Sequence, residues 1–468
     1  MRRPDIVLFM TDQQRSDQLG FASDGYYQTP NLDALARRGV VFDNAYSAAT
    51  VCVPARTALL SGLSPHRAQT QVGMSLKEGH WTIARAMRAA GYDTALIGKM
   101  HLNPIRSQHG FATLRTCEHL PSYGWNHGRN AIDDYHTWLL WQGYADHRVT
   151  HMFGPSLTKE ARAFSAVNSA VPFPLDERFH PTGWVRDQTI EYLTHRGRDR
   201  PLLLIVSFPH PHAPYDPPEP YASMYANDDA RLPTGDYRQT EELAPFLRRA
   251  EYKGRFRPRL AEGLDPAVVR RTHVHIRALV HQIDRAIGEI LAHIDLDDSL
   301  VFFTADHGDY GGHRGLLGKV PWVPFDDLAK VPFICAGRGV AGARHVAAAT
   351  QSFDWVSTAL AAAGVPASGN LDATDLGPLL RGENQPEERA VYCGTSIGYP
   401  SIRHGGLKYI RHPHSDAELL FDLQADPGEL RNLAAEPRLS GERAGLREIL
   451  DRHLAAPPPD LPTNLGDA

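Results

Sequence analysis

Four short apolar runs organise this chain: Ile6-Val7-Leu8-Phe9-Met10, Thr94-Ala95-Leu96-Ile97, Leu202-Leu203-Leu204-Ile205-Val206 and Leu300-Val301-Phe302-Phe303. Runs this short, without polar alternation, predict strands buried on both faces, as in a parallel sheet with crossover helices. A helical pattern precedes the last of them. Ile276, Leu279, Val280, Ile283, Ile287, Ile290, Leu291 and Ile294 recur every three or four residues, which predicts one apolar stripe packed on the sheet. Asp284 and Arg285 read as lying off that stripe, on a solvated face. Each apolar run stops at residues able to bind a metal or move a proton: Thr11-Asp12-Gln13, then Gly98-Lys99-Met100-His101, then Ser207 with His210 and His212, then Asp306-His307-Gly308. Open parallel sheets hold their ligands just beyond strand carboxyl ends, so the four endings predict one site.

Elsewhere the pattern is irregular. Residues 104–180 form a His-rich, aromatic insertion with Tyr123, Trp125, Tyr135, Trp138, Trp141 and Tyr144, rings that serve packing or the rim of a site. Pro214 to Arg259 reads as a long irregular excursion. After about Thr374 short strands at Val391–Cys393, Lys408–Ile410 and Leu419–Leu423 precede a helix near Glu442–Leu454, which predicts a small antiparallel sheet with a helix. The expected organisation is therefore α/β: a catalytic domain over 1–374 with a large, mainly parallel sheet flanked by helices, and an α+β subdomain over 375–468. The tail from Pro457-Pro458-Pro459 is extended, either disordered or laid on a neighbouring subunit, which would make a homo-oligomer.

Composition narrows the partners. A net charge of −5 without a basic stripe argues against nucleic acid. Four scattered cysteines, Cys52, Cys117, Cys335 and Cys393, make neither a disulfide framework nor a paired zinc spacing. No run approaches the roughly 18 apolar residues of a membrane span, and the first strand follows too closely on Met1 for a signal peptide. The expectation is a cytoplasmic protein.

The stretch ATVCVPARTALLSG, from Ala49 to Gly62, places Pro54 and Gly62 as brackets of a short helix. Cys52 then lies at its mouth, where unpaired N–H groups favour an anion, and Arg56 adds a charge. A sulfur there is more acidic than usual. The ordinary alternative is a buried cysteine acting as a small hydrophobe.

CVPARTALLSG closely resembles the signature of the type I sulfatases, in which a maturation enzyme oxidises the cysteine to formylglycine. TDQQRSDQLG, TPNLDALARRGVVFDNAY, GYDTALIGKMHL, SFPHPHAPY, FFTADHGD and LLGKVP follow the family's usual order, and LFDLQADPGELRNLA resembles its C-terminal subdomain. The resemblance covers nearly the whole chain. It implies the alkaline-phosphatase-like sandwich and hydrolysis of a small-molecule sulfate ester. It further implies that the aldehyde hydrates, so that one hydroxyl attacks sulfur and the other expels sulfate, where a serine would remain sulfated. Asp12, Gln13, Asp306 and His307 are implied metal ligands, with an oxygen of modified residue 52. Arg56 would hold residue 52, Lys99 and Lys319 would bracket sulfate oxygens, His101 would take the proton that drives elimination, and His212 would sit at the leaving-group oxygen. The proline-histidine-x-proline pattern falls on His212, which ranks it above His210 and His313; His412 and His414 are read as surface residues.

Many sulfatases carry a second aspartate where this chain has Gln13 and an asparagine where it has His307. An amide and an imidazole make a less purely hard oxygen cage, so the single divalent cation is calcium or manganese. The same pair occurs in relatives that cleave phosphonate monoesters and phosphodiesters, which keeps that chemistry as the alternative. Such relatives generally lack the counterparts of Lys99 and His101, which favours sulfate. A homologue whose Cys52 stays a thiol and merely binds an anion is the second alternative.

Overall fold

The computed structural model describes residues 2–68, 76, 79–102, 104–118, 133–144, 170–228, 246, 266–313, 316–320, 322–367, 369–383, 388–394 and 398–459. The four predicted runs all become strands of one eight-stranded sheet, built from β1 (Asp5–Asp12), β2 (Gly39–Tyr46), β3 (Asp93–Gly98), β4 (Thr113–Thr116), β5 (Leu202–Pro211), β6 (Ser299–Ala305), β7 (Phe333–Gly337) and β8 (Arg344–Gln351). Their order is β4-β3-β5-β1-β6-β7-β2-β8, so β3, β5, β1 and β6 are neighbours. These four pair in parallel, and only β7 runs against its neighbours.

The lack of polar alternation has a direct cause, because both faces are covered. Ile6, Leu8 and Met10 pack with Ala58 and Leu59 of the Cys52–Ser61 helix, Met87 of the Ile83–Ala89 helix and Trp355 of the Trp355–Ala363 helix. Val7 and Phe9 face the other way, toward Leu32 of the Pro30–Arg37 helix, Trp184 of the Pro181–His195 helix and Ile287 of the Pro266–Leu291 helix. Each such side chain contributes about 1.5–3 kcal/mol when fully buried. Among the described residues no helix is long and apolar enough to cross a membrane.

A second, antiparallel sheet follows, β12-β11-β10-β9, from β9 (Val391–Cys393), β10 (Ser401–His404), β11 (Leu407–Arg411) and β12 (Glu418–Asp422). The β10 strand is an addition to the predicted set. Ile410, Leu419 and Phe421 pack against Tyr310, Leu316 and Phe325, while Ile402 and Leu420 face Leu446 and Leu450 of the Ser440–Ala455 helix.

Of the two roles expected for the insertion's rings, Tyr135, Trp138 and Tyr144 take packing, around Phe179 and Trp184, while Trp141 is exposed; Tyr123 and Trp125 lie outside the described residues, as do 229–245 and 247–265 of the irregular excursion. His412 is half-buried between Phe246 and Tyr399 instead of on the surface, whereas His414 is exposed. The start of the tail lies on its own chain, where the Pro457 carbonyl accepts from Arg67 Nε at 3.0 Å; residues 460–468 lie outside the described set.

Asp284 is the sharpest correction. It is fully buried and accepts from the backbone N–H groups of Asn31 and Leu32 (3.1 and 2.8 Å) and from Asn31 Nδ2 (2.8 Å). It therefore satisfies the orphan donors at the start of the Pro30–Arg37 helix from a neighbouring element. Arg285, as expected, is solvated. Burial pushes the Asp284 carboxyl up to about 6, although the three donors oppose it.

Asp284→Ala is expected to lower the unfolding free energy by about 1–3 kcal/mol in urea titrations, because buried N–H groups lose their acceptor. The folded state holds this proton more tightly than the unfolded chain, whose carboxyl titrates near about 4. The resulting stabilisation is complete below about pH 4 and is lost as pH rises through the folded value of about 6. The stability of the wild type relative to Asp284→Asn should fall across that window, and a difference that stays flat with pH would refute the assignment.

Candidate active site

The sheet's carboxyl edge is shaped before any charge is placed on it. The β1–β5 register slips between Thr11 and Asp12, so that Thr11 faces Phe208 but Asp12 faces Pro211. That slip brings the end of β5 level with the end of β1, so that His212 follows directly at the edge. At Gly98 (φ +111°) a Cβ would stand 1.9 Å from the Ser207 carbonyl oxygen, so only glycine lets β3 turn out of the sheet there. Lys99 follows, its N–H donating to that same carbonyl at 2.9 Å. The Cys52–Ser61 helix begins two residues before Pro54 and is closed by Gly62 at φ +66°. Pro54 still costs nothing, since the N–H groups of the first turn have no partner within the helix.

Arg56 and Lys99 are each 1% exposed, and this burial decides what they must do, because an unpaired buried cation is prohibitively costly. Arg56 Nε donates to Asp306 Oδ2 (2.8 Å), Nη2 to Asp12 Oδ2 (3.4 Å), and Nη1 to the Lys99 carbonyl (2.5 Å) and Ser207 Oγ (2.9 Å). Lys99 Nζ donates to Asp12 Oδ2. Lys319 Nζ approaches from the other side, 2.8 Å from Cys52 Sγ and 3.3 Å from His307 Nε2. Cys52 Sγ itself stands 3.3 Å from His307 Nε2 and 3.8 Å from Asp12 Oδ1. Asp12, Cys52, Arg56, Lys99, Asp306, His307 and Lys319 are thus brought together.

The electrostatics follow from this packing. Burial by itself would raise the Asp12 carboxyl, but Lys99 first, with Arg56 and Lys319, holds it well below the usual carboxylate range. Burial and Asp12 likewise oppose ionisation of Cys52, yet Lys319, Lys99 and His307 bring its thiol well below the usual range. Burial, then Lys319, pushes His212 down to about 3. Its ring is neutral, with Nδ1–H donating to the Ala213 carbonyl at 2.6 Å and the lone pair left at Nε2.

The donor set suits a divalent cation. Ligand atoms of Asp12, Cys52, Asp306 and His307 all lie within 4.8 Å of one another. His307 Nδ1–H donates to the Gly308 carbonyl at 2.8 Å, which leaves Nε2, facing Asp12 Oδ1 and Asp306 Oδ1 at 3.8 Å each, as the ring nitrogen that can give up its proton and meet a cation. With that proton gone, this is the tautomer a metal ligand requires. A second buried group, His180, His210 and Asp216, lacks this property. His180 Nδ1 accepts from the Thr182 N–H at 3.3 Å, which leaves the hydrogen on Nε2, and His210 Nε2 lies 3.2 Å from Asp216 Oδ1. It is a hydrogen-bonded cluster behind the β5 end. His313 is paired with Asp327 at 2.6 Å.

Gln13 and His101 are the two strained members, with φ of +65° and +58°. The Gln13 N–H donates to Asp306 Oδ1 at 3.0 Å. The N–H groups of Met100 and His101 both donate to Glu118 Oε1, at 3.0 and 2.7 Å. Among the described residues no hydrogen bond links the His101 ring to Cys52 or the carboxylates, and its Nδ1 is buried without a partner. Glu118, itself anchored by its N–H on Asp133, was missed by sequence reasoning, as was Asp309, which accepts from Gln13 Nε2. Glu118 sits in no motif and carries no local signal; Asp309 closes the FFTADHGD string, and its acidity was the available hint.

The sulfatase family model matches residues 4–365. The chain is 28% identical over 473 residues to an arylsulfatase of Clostridium perfringens, covering 97% of this chain and 94% of that protein. It is 28% identical to a choline-sulfatase of Rhizobium meliloti, covering 97% and 86% respectively. Among solved structures it resembles a phosphonate monoester hydrolase of Agrobacterium radiobacter with a TM-score of 0.77 and 24% identity, over 97% of this chain and 96% of that one.

Glu118→Ala leaves two backbone N–H groups without their acceptor and is expected to cost about 2–4 kcal/mol of stability. Glu118→Gln keeps an oxygen in place and should recover most of it. Equal losses for both variants in chemical denaturation would show that the two hydrogen bonds carry no weight.

Proposed function

The chain belongs to the sulfatase family, has its alkaline-phosphatase-like fold and is a sulfuric ester hydrolase, and on that premise we propose that the nucleophile is formylglycine made from Cys52. The observation that carries this reading is the position of Cys52: first residue of a helix, buried, and met by Lys319 at 2.8 Å. A maturation enzyme would act on the CVPAR segment before or during folding, since the finished site buries it. The hydrate of the aldehyde supplies one hydroxyl to attack sulfur and a second whose collapse releases sulfate.

The chain's own groups divide the remaining work. Two carboxylates, Asp12 and Asp306, face three cations, Arg56, Lys99 and Lys319, so the pocket carries a surplus of positive charge where an anionic ester binds. Lys319 and Lys99 hold sulfate oxygens, and Arg56 keeps residue 52 in line. His212 binds near the leaving-group oxygen; a bound sulfate raises its proton affinity by simple attraction, so the ring becomes an acid only with substrate in place. His101 accepts the proton that starts elimination. Asp12, Gln13, Asp306 and His307 hold one divalent cation, calcium or manganese, and the imidazole favours manganese. When bound, that cation screens the sulfate and lowers the pKa of a hydroxyl at position 52.

The Gln13 and His307 pair supports phosphonate monoester or phosphodiester cleavage as a second reading. All four cysteines are buried and unpaired, which supports a reducing, cytoplasmic compartment.

Three measurements test the proposal. Mass spectrometry of the peptide containing Cys52, from protein made with a maturation enzyme, should show the thiol replaced by an aldehyde; an unmodified peptide in a fully active sample would refute it. Cys52→Ala should abolish turnover, and Lys319→Ala should reduce kcat/KM for an aryl sulfate by roughly 10²–10³-fold. An aryl sulfate should be turned over faster than the matching phosphonate monoester, and the reverse ranking would favour the second reading.

A further inference from the structure

Gln13 raises a chemical problem. Its amide ends in an oxygen and an NH2 of nearly equal size, yet a divalent cation binds only the oxygen. A neutral amide can therefore serve the site only if something fixes its orientation. Gln13 Nε2 donates to Asp309 Oδ2, the same oxygen accepts from Tyr215 OH at 3.1 Å, and the other carboxylate oxygen accepts from the Gly311 N–H. Gln13, Asp309 and Tyr215 are all buried. Both carboxylate oxygens are thus already taken by the Tyr215 hydroxyl and the Gly311 N–H as donors, so what Gln13 meets at Asp309 is an acceptor. The reverse orientation of Gln13 would press oxygen against oxygen away from water, which is costly.

We propose that Asp309 is a positioning residue that selects which end of the Gln13 amide is offered to the cation, turning a neutral side chain into an obligate oxygen ligand. The inference rests on the metal reading given above. It makes a prediction with an unusual sign. In Asp309→Asn the new side chain keeps its oxygen for the Gly311 N–H and turns its NH2 to the position that Gln13 and Tyr215 share; the Tyr215 hydroxyl can rotate to accept, and the Gln13 amide reverses and presents hydrogen to the ion. Gln13→Glu alone sets two buried carboxylates against each other. Combined, the two changes are complementary, because the new amide NH2 at position 309 donates to a carboxylate at position 13 whose ends are both oxygen.

Mn2+ binding to metal-stripped full-length protein, measured by calorimetry and by the electron paramagnetic resonance signal of free Mn2+, reads this directly without any turnover. Each single variant should bind Mn2+ roughly 10–100-fold more weakly than wild type, and Gln13→Glu/Asp309→Asn should return to within a few-fold of it. Single variants that bind as wild type, or a double variant as weak as the two losses combined, overturn the proposal. Should Asp309→Asn fail to fold, the double variant decides alone by the same criterion. A wild-type chain that binds no Mn2+ overturns the metal reading itself and this proposal with it, whereas hydrolysis of a sulfate ester is assayed separately and can stand or fall independently.

Discussion

Arg56 touches four strands or their ends at once: Asp12 closing β1, the Lys99 carbonyl just past β3, Ser207 within β5 and Asp306 just past β6. Desolvating a guanidinium costs several kcal/mol, and only a full set of fixed acceptors offsets it. The planar fork supplies that set, and in doing so it sets the spacing between strands where the chemistry takes place. The Cys52–Ser61 helix carries both Cys52 and this fork one turn apart, so locating one locates the other. The helix is thus held by the groups it serves.

Carboxylates do a second kind of work at this edge. Gln13 and His101 occupy left-handed backbone that neither residue favours, and each is secured by an N–H donating to a buried carboxylate, Asp306 or Glu118. Strain of this sort persists only where surrounding structure over-determines it. Charge and backbone shape are therefore coupled: Asp306 compensates Arg56, pins Gln13 and faces His307.

How much of this was legible in the sequence differs by mechanism. The four central strands and their reactive endings were readable because burial on both faces removes alternation, and because Asp12, Lys99, Asp306 and His307 follow apolar runs directly in sequence. Arg56 and Cys52 were readable from helix brackets. Glu118 was not, since its partners Met100 and His101 are met only through β4 lying beside β3. Asp284 was misread although a clue existed: it follows Val280 by four residues and precedes Ile287 by three, which puts it on the flank of the apolar stripe. A polar residue so placed is either exposed at the stripe's margin or buried with partners, and helical spacing does not distinguish these.

Lys319 rides on a segment whose other side belongs to a different structure. Tyr310, Leu316, Val323 and Phe325 around it pack against Ile410, Leu419 and Phe421 of the small antiparallel sheet. The small sheet therefore serves as the mould against which the Lys319 segment is set. Trimming it, or fusing a bulky passenger across it, would loosen a lysine that lies far away in sequence but rests, through these side chains, on its surface.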